Sequence, residues 1–328
     1  MLRRLLIQSP VLCMAPALVR AQSPRDELDM GRSGVMSIQE LEAEPVHAML
    51  DLPYASTTDP HQRLDLYLPR ERRRGPLPVI IYLHGGGWSH GDKADGAARL
   101  MDFVRGGWFA GVSVDYRLSG EATWPAPLHD VKAAVRWVRG NAERFALDPA
   151  RIGVWGRSAG AHLALMLGVT GNVPRLEGTL GDHRKEHSRV SAVANFFGVT
   201  DMPALVGAAS DIDRRRADAP EARLIGGALT ERPALARDAS PVTHASAGAP
   251  PVLTVHGTRD RVVPFGQATR LDDALHKAGV PSYLVTIDGG GHGDFGSSAD
   301  DRLAALFDRT LLDVEREVSV APVIWAQR

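Results

Sequence analysis

The sequence predicts a doubly wound α/β domain, with a mostly parallel central sheet and helices on both faces. Three observations carry this expectation. Apolar, β-branched runs of strand length recur along the chain, an amphipathic helical stretch separates two of them, and a further run ends in a glycine that leads straight into a helix-forming segment.

In chain order, Leu64, Leu66 and Leu68 alternate with Asp65 and Tyr67, the two-residue period of a half-buried strand, and Pro69 stops it. After a basic turn (70–75) comes Pro78-Val79-Ile80-Ile81-Tyr82-Leu83, a continuous run of the sort found in strands covered on both faces. Similar runs follow at 111–116, 152–155, 190–197, 252–255 and 283–287. Between the second and third of the covered runs, Val131, Ala134, Val135 and Val138 fall at i, i+3, i+4 and i+7, with Lys132, Arg136 and Arg139 on the opposite side, which predicts an amphipathic helix. No internal repeat or low-complexity linker divides the chain, so residues 50–315 read as one domain. Residues 22–49 have no clear period and read as an N-terminal arm or a first short strand. The Ala-, Arg- and Pro-rich stretch 202–249 reads as an excursion above the sheet, and residues 316–328 as a tail.

Composition excludes several functions. With 38 Lys and Arg against 39 Asp and Glu, the formal charge is −1, so there is no field with which to collect phosphates, and neither a nucleic-acid partner nor a strongly charged one is implied. Met1-Leu2-Arg3-Arg4 is a basic start followed by a mostly apolar stretch (5–19), and Val19-Arg20-Ala21 places small or apolar residues where a signal peptidase reads. Residues 1–21 are therefore expected to be a signal peptide and the protein secreted or periplasmic. Gln8, Ser9, Pro10 and Pro16 break the apolar run, which is too short to span a bilayer. The single cysteine, Cys13, lies inside this segment, so a mature chain has no thiol chemistry and no disulfide; Pro10 and Leu12 make a poor lipidation box around it. Losing Arg3, Arg4 and Arg20 leaves 35 basic residues against 39 acidic ones, a charge of −4.

The chemistry is carried by four short segments. Gly156-Arg157-Ser158-Ala159-Gly160 follows an apolar strand and opens a helix-forming run beginning at Ala161, the context of a nucleophile elbow. A serine at such a turn sits in a strained backbone, so its neighbours two residues away must be glycine-sized, and the helix start points its N-terminal dipole at a developing anion. His84-Gly85-Gly86-Gly87-Trp88 follows the strongest strand, where successive glycines let backbone amides approach a substrate oxygen; Gly86, Gly87 and Ala159 are the expected oxyanion donors. Neither glycine-rich phosphate-loop pattern is present.

A serine hydroxyl needs a base, and the base needs a carboxylate to hold its tautomer. Asp260 follows the strand at 252–255 and His292 follows the strand at 283–287, so both stand in loops at strand ends, in the order Ser, acid, His. Asp288 and Asp294 are nearer His292 in sequence, but a neighbour two to four residues away in one loop is badly placed to reach Nδ1. His84, His162 and His256 are expected to brace their loops, and His129, His183, His187, His244 and His276 to lie at the surface or in loops. No spacing of His, Cys, Asp or Glu matches a metal site, so no metal and no cofactor are expected.

With these segments in place, the sequence resembles the esterases of the α/β-hydrolase superfamily, and within it the feruloyl-esterase-like (BD-FAE-like) bacterial carboxylesterases, then the hormone-sensitive-lipase-like esterases. Leu64-Asp65-Leu66-Tyr67-Leu68-Pro69, His84 to Trp88 with Gly91-Asp92-Lys93, Asp115-Tyr116-Arg117-Leu118, Trp124-Pro125-Ala126-Pro127, and His256-Gly257-Thr258-Arg259-Asp260 with Val263-Pro264 carry the resemblance over most of the chain. It implies hydrolysis of small carboxylic esters through an acyl-enzyme, on feruloyl or acetyl esters of plant polysaccharides or small aromatic esters. Arg157 departs from the hormone-sensitive-lipase-like pattern, which has aspartate before the nucleophile. Trp88 and the pair Phe196-Phe197 are candidates to line an acyl pocket, although aromatic residues near a sheet end are more often core. The same triad could serve an amidase of the arylformamidase kind, and a catalytically dead fold used for binding is the rival from outside enzymes.

Overall fold

The computed structural model describes residues 35–293 and 295–325; the expected signal peptide with Cys13, and the rival acid Asp294, lie outside them. Nine strands form one sheet in the order β1-β2-β4-β3-β5-β6-β7-β8-β9. They are β1 (Val46–Pro53), β2 (Arg63–Pro69), β3 (Leu77–Leu83), β4 (Ala110–Val114), β5 (Leu147–Arg157), β6 (Ala192–Phe196), β7 (Val252–Gly257), β8 (Ser282–Asp288) and β9 (Val323–Ile324). β1 pairs β2, and β2 pairs β4, antiparallel; every pairing from β4 and β3 through to β9 is parallel. The helices are α1 (Ile38–Ala43), α2 (Gly96–Val104), α3 (Ala126–Gly140), α4 (Ala142–Phe145), α5 (Ala159–Val169), α6 (Pro220–Ile225), α7 (Pro233–Asp238), α8 (Pro241–His244), α9 (Gly266–Lys277) and α10 (Ser297–Leu311).

The parallel strands are buried on both faces because helices cover both. Along β3, Val79, Ile81 and Leu83 join one core with α3, α5 and α9, while Ile80 and Tyr82 join the other with α2 and α10. Alternate side chains on a strand point to opposite faces, so a run with no polar residue feeds two cores at once. Helix α5 is buried around its whole circumference, from Ala159 to Val169. Such a helix has no solvent face on which to tilt, and it holds its N-terminus as a fixed platform at the end of β5.

Four expectations change in detail. The alternation in β2 does not mark a solvent face, since Asp65 and Tyr67 are as buried as the leucines. Asp65 is held inside by the Asp51 amide at 2.8 Å and the Lys93 ammonium at 3.6 Å, and a buried polar group is tolerated when it is partnered. The polar side of α3 is likewise covered. Lys132 reaches the Thr170 carbonyl and Glu177, Arg136 reaches Glu177 and the Leu180 carbonyl, and Arg139 reaches the carbonyls of His187 and Arg189. The segment 170–190 thus supplies an inner polar layer that amphipathic spacing cannot distinguish from water. The arm contains α1, and its last residues begin β1, so the sheet starts at Val46 rather than near residue 50. The tail adds β9 beside β8.

Candidate active site

At the end of β5 the chain turns through Ser158, whose φ of 51° and ψ of −117° lie outside the helical and extended regions. The surrounding structure holds this strained residue: the Ser158 amide donates to the Phe196 carbonyl at 2.9 Å, and the His162 amide donates to the Ser158 carbonyl at 3.0 Å. A Cβ on Gly160 would stand 2.1 Å from the Leu83 carbonyl oxygen, and one on Gly156 would stand 2.4 Å from Gly160. Glycine at both positions is therefore a condition for the turn, as the spacing of the motif implies.

The two loops that follow β7 and β8 are zipped together. The Thr258 amide donates to the Ile287 carbonyl at 2.9 Å and the Arg259 amide to the Gly290 carbonyl at 2.8 Å. Gly257 allows this approach, since a Cβ there would lie 2.3 Å from the Gly290 carbonyl oxygen. The zipper places His292 Nδ1 2.7 Å from Asp260 Oδ2 and His292 Nε2 3.0 Å from Ser158 Oγ. A carboxylate only accepts, so the imidazole proton sits on Nδ1 and Nε2 presents a lone pair to the serine hydroxyl. Burial would raise the Asp260 carboxyl, but hydrogen bonds from His256 and His292 outweigh it and hold the group well below the usual carboxylate range. Asp288, the rival acid, is exposed and accepts from the Thr258 hydroxyl at 3.2 Å instead.

The glycine loop lies opposite. Gly86, Gly87 and Trp88 have φ of 111°, 57° and 55°, three successive left-handed values. The amides of Ser89 and His90 donate to the Gly86 carbonyl, whereas no hydrogen bond among the described residues uses the amides of Gly86, Gly87 or Ala159. His84 braces this loop: its Nδ1 donates to the Gly85 carbonyl at 2.8 Å, and its ring stacks on Tyr116 with centroids 4.3 Å apart. Burial lowers its pKa to about 4.

Ser158, His292, Gly86 and Gly87 line one cleft of about 700 Å³. The aromatic candidates divide. Phe197 lines the cleft and meets His292 edge-on at 4.5 Å, with the Arg157 guanidinium 5.2 Å above its ring. Phe196, one residue earlier, packs against Trp155 at 5.5 Å and edge-on to Phe197 at 6.4 Å, and is not a cleft residue. Trp88 also borders the cleft, and like Phe197 it is packed into a core, with its indole N–H committed to His162 Nδ1 at 3.2 Å. Sequence reasoning missed the cleft's roof. Ile212, Arg214, Pro220 and Glu221 come from the 202–249 excursion, whose composition announces a covering segment but not which residues turn inward. Away from the cleft, the fold brings Asp59, His61 and Glu121 together, with His61 Nδ1 and Glu121 Oε1 2.7 Å apart. Among the described residues no helix is long and apolar enough to cross a membrane.

Comparison with known proteins agrees with this architecture. The chain is 34% identical over 238 residues to the esterase LipC of Mycobacterium tuberculosis, covering 72% of this chain and 57% of that protein, little more than half its length. It superposes on a truncated carbohydrate esterase from gut microbiota with a TM-score of 0.75 and 32% identity, over 82% of this chain and 98% of that one. On the thermophilic esterase Est2 of Thermogutta terrifontis the TM-score is 0.63 at 27% identity, over 83% and 93% of the two chains. The fold is the α/β-hydrolase fold that the resemblance implied. The BD-FAE family model matches residues 64–275, a segment that contains Ser158 and Asp260, and the chain belongs to the BD-FAE family.

Proposed function

We propose that the chain is a serine carboxylic ester hydrolase. The observation that carries this reading is the continuous path from Ser158 Oγ through the His292 ring to Asp260, with steps of 3.0 and 2.7 Å, at the floor of an open cleft. Ser158 Oγ attacks the ester carbonyl while His292 Nε2 takes its proton. The uncommitted amides of Gly86, Gly87 and Ala159 receive the oxyanion, the last at the N-terminus of α5. The tetrahedral intermediate collapses, His292 returns the proton to the departing alcohol, and an acyl-Ser158 ester remains. Water then attacks that ester by the same route and releases the acid.

Small esters of acetyl or feruloyl type, on carbohydrate or aromatic alcohols, are the proposed substrates; the named carbohydrate esterase among its structural relatives supports this, as do the cleft volume and its mostly apolar walls. Export to the periplasm or beyond is proposed from the basic and apolar start of the chain. The test is hydrolysis of p-nitrophenyl acetate, butyrate and octanoate and of methyl ferulate beside Ser158→Ala. Turnover that vanishes in the variant supports the reading. Turnover that survives, or anilide cleavage outpacing ester cleavage, replaces it with a different hydrolase.

A further inference from the structure

The Asp260 carboxylate receives four donors, only one of them from the catalytic base. Oδ1 accepts the amides of Val262 and Val263, both at 2.8 Å. Oδ2 accepts His292 Nδ1–H at 2.7 Å and lies 3.3 Å from Nε2 of a second imidazole, His256. His256 is fully buried at the end of β7, and its Nε2 is also 2.8 Å from the Val263 carbonyl oxygen. A carbonyl oxygen only accepts, so Nε2 carries the proton and shares it between Val263 and Asp260. Nδ1 is buried with no hydrogen-bond partner among the described residues, and a proton placed there would have no acceptor. The ring is therefore held in one tautomer, and the Phe265 ring meets it edge-on at 5.9 Å. The titratable groups that face the Asp260 carboxylate are His256 from the end of β7 and His292 from the loop after β8.

We propose that His256 is a positioning residue for the catalytic base: its Nε2–H occupies part of Asp260 Oδ2 and limits how much of the carboxylate's charge His292 receives. The inference rests on the reading of Ser158, His292 and Asp260 as a hydrolytic triad. With both imidazoles in place, Oδ2 is divided between two N–H groups. Without His256, Oδ2 attends to His292 alone. The imidazolium form of His292 is then favoured, and a smaller share of the enzyme holds the free base at a given pH. A residue that only filled space at the end of β7 would alter stability and leave this balance untouched.

The experiment compares the wild-type chain with His256→Gln, whose amide nitrogen reaches the Nε2 position and can donate, and His256→Phe, which keeps a ring but no donor. The acid limb of the pH profile of kcat/KM for p-nitrophenyl acetate is expected to move up by about half a unit or more in the Phe variant and to stay near wild type in the Gln variant. Well below that limb the Phe variant then loses at least about threefold in kcat/KM, half a unit being a factor of about three. The low-field NMR resonance of the His292 Nδ1 proton is expected to move in the Phe variant only. Should His256→Phe not fold, His256→Met, unbranched and without a donor, takes its place. Limbs and resonances unmoved in both variants, or moved equally, overturn the proposal. If wild-type hydrolysis proves independent of Ser158, the functional reading fails, while the resonance still decides whether His256 governs the Asp260–His292 pair.

Discussion

The Trp88 indole N–H donates to His162 Nδ1 at 3.2 Å, and the opposite nitrogen of that ring donates to the Ala239 carbonyl at 2.7 Å. Trp88 ends the glycine loop and His162 stands one turn into α5, so this bond ties together the two segments whose amides are proposed to hold the oxyanion. Burial lowers the His162 pKa to about 4, which keeps the ring neutral and its Nδ1 free to accept. Trp88→Phe should keep the ring packing and lose the tie, leaving a buried lone pair without a donor, at a cost of about 1–3 kcal/mol. The expected outcome is a lower Tm together with kcat reduced about tenfold, since the loop amides lose their register with Ala159. A variant with wild-type kcat and lowered Tm would show that the tie serves stability alone.

Asp260→Asn preserves shape and removes the charge that selects the Nδ1–H tautomer of His292. Turnover should fall by a factor of about 10⁴. Stability should also change its pH dependence. The folded pKa of Asp260 lies below the unfolded value, so its contribution is full above the unfolded pKa and is lost as pH falls through the folded one. The Tm difference between wild type and variant should therefore narrow on acidification below about pH 4. A constant difference across that window would contradict the depressed carboxyl.

Gly160→Ala should be far worse than a one-methyl change suggests. The added Cβ would meet the carbonyl oxygens of Leu83 and His84 at 2.1 and 2.3 Å, and backbone cannot swing aside as a side-chain end could. Loss of soluble protein, or a Tm lowered by more than about 6 °C together with loss of activity, is expected, corresponding to about 3 kcal/mol for a domain of this size. Soluble, active Gly160→Ala would mean that the elbow opens more readily than its packing implies.

How much of this was legible follows from which physical signals are local. The covered strands β3, β4 and β7 are readable because a strand buried on both faces needs a continuous apolar run, and Leu77–Leu83 has one. Ser158, Asp260 and His292 are readable because each lies at a strand end among glycines that permit close approach. The zipper between the loops after β7 and β8, which puts 32 residues of separation into one hydrogen bond, follows from adjacency of the two strands. What stayed hidden was set by distant partners. Lys132 and Arg136 look solvated until Glu177 folds over them, and Asp65 looks exposed until Lys93 reaches it. Phe196 and Phe197 cannot be told apart by type, and it is Phe197, at a positive φ of 46°, whose ring meets His292.

Asp115 offers a test of burial at a distance from the chemistry. Burial, then the charge of Asp92, raises its pKa from 3.8 to about 7, despite the Lys93 amide at 2.6 Å. With the folded pKa above the unfolded one, the folded protein binds the extra proton between about pH 4 and 7, so this group's contribution to stability declines as pH rises through that window. Asp115→Asn keeps the amide acceptor and removes the titration. Relative to wild type its Tm should improve between pH 4 and 7 by about 2–4 °C or more, or about 1 kcal/mol. Parallel Tm curves for the two proteins would show that Asp115 remains ionised inside.

Arg214 and Glu221 form an ion pair at 3.3 Å with side chains 1% and 2% exposed, and Arg214 also donates to the carbonyls of Ile212 and Val262 and to the Ser210 hydroxyl. One guanidinium thus fastens the roof to the loop that carries Asp260. Pro220, beside Glu221, reaches within 3.5 Å of the position a Cβ on Gly87 would take, so the same segment also rests on the glycine loop. Breaking a buried pair from one side leaves an uncompensated charge and costs about 3–5 kcal/mol, whereas replacing both members by apolar residues of similar volume can be close to neutral. Arg214→Met and Glu221→Leu should each be strongly destabilising, and the double variant should be more stable than either. In the double variant the roof loses its fastening to Val262, so KM for p-nitrophenyl octanoate, whose chain needs the roof as a wall, should rise several-fold more than KM for the acetate. Destabilisation that adds across the two sites would deny the pairing, and equal KM changes for both esters would place the acyl chain away from the roof.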